Sequence, residues 1–183
     1  YGLHWGLRTY TDPGHQARVR SALRPSAAEA VETRHPDFVY VNSGMHDVFL
    51  TNWTLGTYDT LADYTQRLRF AVDFLETVVG RAASPVIWRA TKAPAGHKYR
   101  NWHENPHKYL QGPLIIEGIE KIARAYILSR GWMEYLDIWA LTFPFHWDDS
   151  YSDGHHYSAA KNKMVEHMQL QMMLNRMCNG ARR

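Results

Sequence analysis

Short apolar runs that suit buried strands alternate along this chain with long stretches of helical periodicity. Phe38-Val39-Tyr40-Val41, introduced by Pro36-Asp37, is β-branched and aromatic, which suits a strand covered on both faces. From about Thr60 to Val79, the residues Leu61, Tyr64, Leu68, Val72, Leu75 and Val79 recur at spacings of three and four and share one helical stripe. Gly80 closes that helix, and Pro85-Val86-Ile87-Trp88 reads as a second buried strand. A helix from Pro113 to about Ser129 carries Ile115, Ile119, Ile122, Ala123 and Tyr126 on one face and stops at Gly131. Tyr135 to Ala140 reads as a third strand, and Ser158 begins a last helix to about Cys178. Upstream, Pro25 and the capping box Ser26-Ala27-Ala28-Glu29 predict a short helix to about Arg34. Strands separated by helices return in parallel, so the pattern predicts an α/β domain with a parallel sheet.

The chain has 183 residues, enough for one domain with a substantial core, and neither repeat nor linker divides it, so residues 1–183 are expected to form a single domain. A hydrophobic fraction of 45% excludes a disordered chain, and no apolar run is long enough for a membrane span. The net charge of +3 is spread along the chain, which argues for a solvated surface and against nucleic acid as a partner. A lone cysteine, Cys178, excludes an internal disulfide and an all-cysteine metal site. Asn52-Trp53-Thr54 is a glycosylation acceptor pattern. It places the chain in the secretory pathway or outside the cell if it is used, and otherwise leaves an organelle such as the mitochondrion open.

Open parallel sheets gather their sites in the loops beyond the carboxyl ends of the strands. Two polar segments fall there. Asn42-Ser43-Gly44-Met45-His46-Asp47 follows the first clear strand, and Asp153-Gly154-His155-His156 follows the last. Asp153 and His156 stand three apart, a spacing at which a carboxylate can orient an imidazole as a general base.

Gly44-Met45-His46-Asp47 after a buried strand resembles the Gly-x-Asn-Asp block of the SGNH (GDSL-type) hydrolases. Asp153-Gly154-His155-His156 before the terminal helix resembles that family's Asp-x-x-His block. The order of elements between them fits as well, so the resemblance spans roughly residues 36–178. It implies a three-layer α/β/α, flavodoxin-like fold and a serine nucleophile activated by His156, with Asp153 holding the imidazole. It also implies an oxyanion hole formed by the Gly44 N–H and the side chain of position 46. There His46 replaces the family's asparagine; a ring N–H can still donate to developing negative charge.

The nucleophile itself is missing. No Gly-Asp-Ser block occurs in the chain, and the stretch before Phe38 has room for a second strand and a helix but not for the first strand too. Trp5 to Tyr10 could belong to that second strand. The chain therefore reads as one that starts after its nucleophile, lacking the first strand of the sheet. Ser43, Ser150 and Ser152 suit turns and caps better than the rigid strand-to-helix corner a nucleophile needs. An N-terminal segment or a partner chain is expected to complete the sheet, since a bare parallel strand edge exposes unpaired backbone groups.

Other motifs carry less. His103-Glu104-Asn105-Pro106-His107 matches a zinc-protease pattern in letters, but Pro106 opposes the helix that would align its histidines. His46, His155, His156, Asp148 and Asp149 form a loose His/Asp group that falls short of a metal site. No metal and no cofactor are expected. The Pro-, Gly- and His-rich residues 92–112 read as a long loop, a place where function concentrates. Trp102, Trp147 and Tyr151, near the presumed active edge, could stack on a sugar, whereas most other aromatics suit the core. The methionines of the last helix, Met164, Met168, Met172, Met173 and Met177, lie on more than one face, so some suit the core and others a partner in a larger complex.

Two functions remain open. One is an esterase or acyl-transfer domain acting on acylated glycans, its serine on a missing N-terminal segment. The other is an inactive SGNH-like domain serving as a structural or interaction subunit of a larger assembly.

Overall fold

The computed structural model describes residues 2–3, 7–23, 37–45, 47, 61–80, 85–95, 112–154, 156–157 and 162–179. Asn52, the capping box at 26–29, the His103–His107 motif, His46, Trp102 and His155 lie outside them. Among the described residues four strands form one sheet: β1 (Gly2–Leu3), β2 (Val39–Asn42), β3 (Val86–Arg89) and β4 (Met133–Leu136). All are parallel and lie in chain order. Leu3 pairs with Val41, Val41 with Trp88, and Trp88 with Tyr135. Parallel neighbours cannot be joined by tight turns. Helices fill the connections: α1 (Pro13–Leu23), α2 (Leu61–Val79) and α3 (Pro113–Arg130), with α4 (Ile138–Thr142) and α5 (Met164–Asn179) after β4.

Alternation along the strands sends side chains to two cores. Val39, Val41, Val86, Trp88 and Met133 face α1, α2 and α3, meeting Val19, Leu68, Val72, Leu75, Ile116 and Ile119. On the other face Ile87 and Leu136, with Tyr40, meet Ile138, Trp139 and Leu141 around α4 and Met172 and Met173 on α5. The molecule is thus an α/β protein with a parallel sheet flanked by helices, as expected from the alternation. At the end of α3, Arg130 pairs with Asp73, 3.0 Å away, and with Glu76, which ties α3 to α2.

Several expected boundaries move, each for a physical reason. Tyr135–Ala140 is not one strand: β4 ends at Leu136, and the Asp137 carboxylate caps α4 by accepting from the Ala140 N–H at 2.9 Å. Within Trp5–Tyr10 the strand reading fails at Leu7. A 3-10 turn runs over Leu7–Thr11, with Leu7 and Tyr10 buried three residues apart and the Leu7 N–H bound by Asp47 at 2.6 Å. The buried face of α3 is Ile116, Ile119, Glu120, Ala123 and Ile127; the expected Ile122 and Tyr126 pack against it partly buried, while the expected Ile115 is 38% exposed. Leu61, expected on the buried stripe of α2, lies half-exposed in its first turn. The last helix is regular from Met164; it turns Met172 and Met173 inward and leaves Met164 and Met168 outward.

β1 sits directly beside β2. In the flavodoxin-like strand order 2-1-3-4-5, that place belongs to the first strand.

Candidate active site

The carboxyl ends of all four strands point to one edge, and two polar groupings lie there. The first is the loop that follows α4. Asp153 accepts from the backbone N–H of His156 at 2.7 Å through Oδ1, and its Oδ2 lies 3.1 Å from His156 Nδ1. A carboxylate only accepts, so Nδ1 carries the proton and Nε2 is left as the basic nitrogen. Gly154 takes φ of 111°, a value that side chains rarely adopt, and this lets the chain fold back so that residues 153 and 156 meet.

The loop is anchored from behind. The buried Tyr157 hydroxyl lies 2.9 Å from the carbonyl oxygens of both Ala93 and Thr142, and the Ala95 N–H donates to Gly154 O at 2.9 Å. Thr142 Oγ1 in turn accepts from the Ala93 N–H at 2.9 Å. The segment after β3 therefore holds this loop in place. The pair itself faces water: the side chains of His156 and Asp153 are 67% and 46% exposed, so a substrate can reach them.

The second grouping is buried. Asp47 accepts from the N–H groups of Leu7 at 2.6 Å and Gly44 at 2.9 Å, and from the Ser43 hydroxyl. Thr91 Oγ1 donates to Ser43 O at 2.7 Å, and the Thr91 N–H donates to Glu120 Oε1 at 2.7 Å. The second oxygen of Glu120 accepts from the Tyr135 hydroxyl at 2.9 Å. This network stitches together the ends of β2, β3 and β4, the turn after β1, and α3. Burial pushes the Asp47 carboxyl up to about 6 and that of Glu120 up to about 7, against hydrogen bonds that pull both down.

Gly44 belongs to this network by necessity. A Cβ at its φ of 137° would stand 2.1 Å from Thr91 Oγ1. Its N–H, expected to serve an oxyanion, donates to the Asp47 carboxylate at 2.9 Å. His46, the other expected donor, lies outside the described residues.

Of the aromatic residues expected near the site, Trp147 is 62% exposed beside the buried His146, their rings 5.0 Å apart. Tyr151 is half-buried against Phe145. Among the described residues no cluster of three His, Cys, Asp or Glu side chains could hold a metal ion, and no helix is long and apolar enough to cross a membrane.

Thr91, Glu120, Arg89 and Lys92 escaped the sequence reading. Arg89 ends β3, and Thr91 and Lys92 follow within three residues, the place where such sheets keep their sites, which is the signal that could have found them. Glu120 gave no such signal; it resembles any charged residue on an amphipathic helix.

No family model matches the chain, and no curated protein matches it in sequence. In structure it is similar to a lipase/acylhydrolase from Enterococcus faecalis, with a TM-score of 0.53 and 15% identity over 87% of this chain and 68% of that one. That likeness is one of fold: the chain has a lipase/acylhydrolase-like α/β fold.

Proposed function

We propose that the chain is an SGNH-type serine esterase or acyl-transfer domain in which His156 is the general base and Asp153 orients it. The observation that carries this reading is the 3.1 Å contact from Asp153 Oδ2 to His156 Nδ1, on a loop anchored at the carboxyl edge of a lipase/acylhydrolase-like sheet. The nucleophile is a serine in chain outside these residues. Its hydroxyl proton passes to His156 Nε2 as Oγ bonds to the acyl carbon. The same imidazole then returns that proton to the departing alcohol, and water or an acceptor hydroxyl takes the acyl group by the reverse path. Trp147 and Tyr151 would receive an acylated glycan, with Trp102 as a third aromatic. The outer edge of β1 has no partner strand among the described residues, and a preceding segment or a partner chain completes it.

Hydrolysis of p-nitrophenyl acetate and of acetylated xylan by the natural full-length protein tests this. His156→Ala is expected to lower kcat by about a hundredfold to ten-thousandfold. Equal rates in the two proteins would refute the assignment.

One observation favours the second reading, an inactive domain kept for structure or assembly. β1 takes the first-strand place beside β2, and the residues that follow it in sequence, His4-Trp5-Gly6, include no serine. Under that reading neither substrate is turned over, and the encoded sequence upstream of Tyr1 holds no Gly-Asp-Ser block.

A further inference from the structure

Arg89 closes β3 on the face that α5 covers, and its side chain has an unusual environment. The guanidinium lies 5.9 Å from the centre of the Tyr40 ring, and Nε is enclosed with no hydrogen-bond partner among the described residues. Three residues on, the half-buried Lys92 places Nζ 5.8 Å from the centre of the Tyr157 ring, directly after His156 in the chain. The carboxylates whose charge reaches this pair are Glu120 for Arg89 and Glu166, in the first turn of α5, for Lys92. Neither forms an ion pair with them among the described residues.

A buried cation is costly unless an anion accompanies it, and a ring face offsets only part of that cost. Here two half-buried cations share one neighbourhood, with Lys92 over the ring of Tyr157, the chain neighbour of the candidate base. Burial, with the charge of Arg89 behind it, lowers Lys92 to about 8, so at neutral pH the ammonium is still mostly charged. Among the described residues the arrangement is short of one negative group. Arg89 offers a planar fork suited to two oxygens of an oxyanion, and Lys92 a mobile point charge.

We propose that Arg89 and Lys92 form an anion-binding subsite at the base of the loop that carries His156, which takes a single oxyanion group, carboxylate, sulfate or phosphate, carried by the molecule that this site binds. The inference depends on the esterase reading only in calling that molecule a substrate. Under that reading the preferred ester is one borne on an acidic molecule such as a charged glycan.

The test is titration of the isotope-labelled natural full-length protein with sodium sulfate, and separately with sodium acetate, at constant ionic strength and pH 7, followed by NMR. At least one anion should give saturable shifts of the Arg89 Nε–H and the Thr91 amide, with half-saturation on the order of a millimolar. Tighter sulfate identifies a tetrahedral group, and tighter acetate a carboxylate. Lys92→Met, which removes a charge from a half-buried position, should weaken binding about tenfold. Arg89→Lys, which keeps the charge and loses the fork, should weaken it as well, while His156→Ala should bind the anion unchanged. Absence of saturation with both anions up to about 50 mM, or saturation unaltered in Lys92→Met, overturns the proposal. Because binding needs no turnover, an inactive chain that binds sulfate defeats the esterase reading and leaves the subsite standing. An active chain that binds neither anion does the reverse.

Discussion

The two polar groupings at the carboxyl edge of the sheet are built on opposite plans. Asp153 and His156 are three residues apart, hydrogen-bonded to each other and open to water. Asp47, Ser43, Gly44, Thr91, Glu120 and Tyr135 are drawn from four segments of the chain, and most of them are buried. The first grouping can be reached by a ligand at little cost to the fold. The second holds the loops in place, and its members cannot change without disturbing several elements. The contrast separates chemistry from support: a reactive pair is useful only if it is reachable, whereas a brace must be enclosed to be strong.

The largest effect that would sharpen this contrast should come from Gly44→Ala. The added methyl meets Thr91 Oγ1 and adopts a backbone angle hostile to side chains. A loss of about 3 kcal/mol or more in stability is expected by chemical denaturation. A loss below about 1 kcal/mol would mean that the loop relaxes and the brace is soft.

Glu120→Leu should follow, at about 2–4 kcal/mol, because it strands the Thr91 N–H and the Tyr135 hydroxyl in the core. Glu120→Gln keeps the shape and separates charge from packing. The folded-state pKa values of Glu120 and Asp47 lie above their ordinary values of 4.5 and 3.8, so the folded protein holds these protons more tightly than the unfolded chain. Their contribution to stability is fully present below about pH 4. It is lost as pH rises through about 6 for Asp47 and about 7 for Glu120. Denaturation at a series of pH values should show stability falling across that window, with a shallower fall in Glu120→Gln. An identical slope in the variant would remove Glu120 from the titration.

Tyr157→Phe should be milder, about 1 kcal/mol, since one hydroxyl proton serves two carbonyls. The smallest effect on stability, within about 0.5 kcal/mol, is expected for Asp153→Asn on the exposed loop. If the proposed function holds, that same variant loses activity by at least about a hundredfold, because Nδ1 no longer faces a carboxylate. A variant that unfolds the protein without changing chemistry would invert the comparison.

The two groupings also differ in how readable they were. Local features were legible: the strand runs at Val39 and Val86, the stripe of α2, the stop at Gly131 and the Asp153–His156 spacing all lie within a few residues of chain. The brace was not, since Glu120 reaches Thr91 across 29 residues and Thr91 reaches Ser43 across 48. Helical periodicity placed Ile115 inward because an isoleucine outranks a glutamate on any hydrophobic scale. Two hydrogen bonds to Glu120 reverse that ranking and keep it buried beside Ile116 and Ile119. The end of β4 was misjudged likewise: Ile138-Trp139-Ala140 has strand composition, but the Asp137 cap commits it to a helix.

Labelling with a serine-directed fluorophosphonate tests the central claim, that His156 is the base of an acyl-transfer site, most directly. The natural full-length protein should be modified at one serine, found by mass spectrometry upstream of Tyr1, and His156→Ala should abolish the label while the circular dichroism spectrum stays unchanged. Folded full-length protein that takes no label, or a label indifferent to His156→Ala, would contradict it.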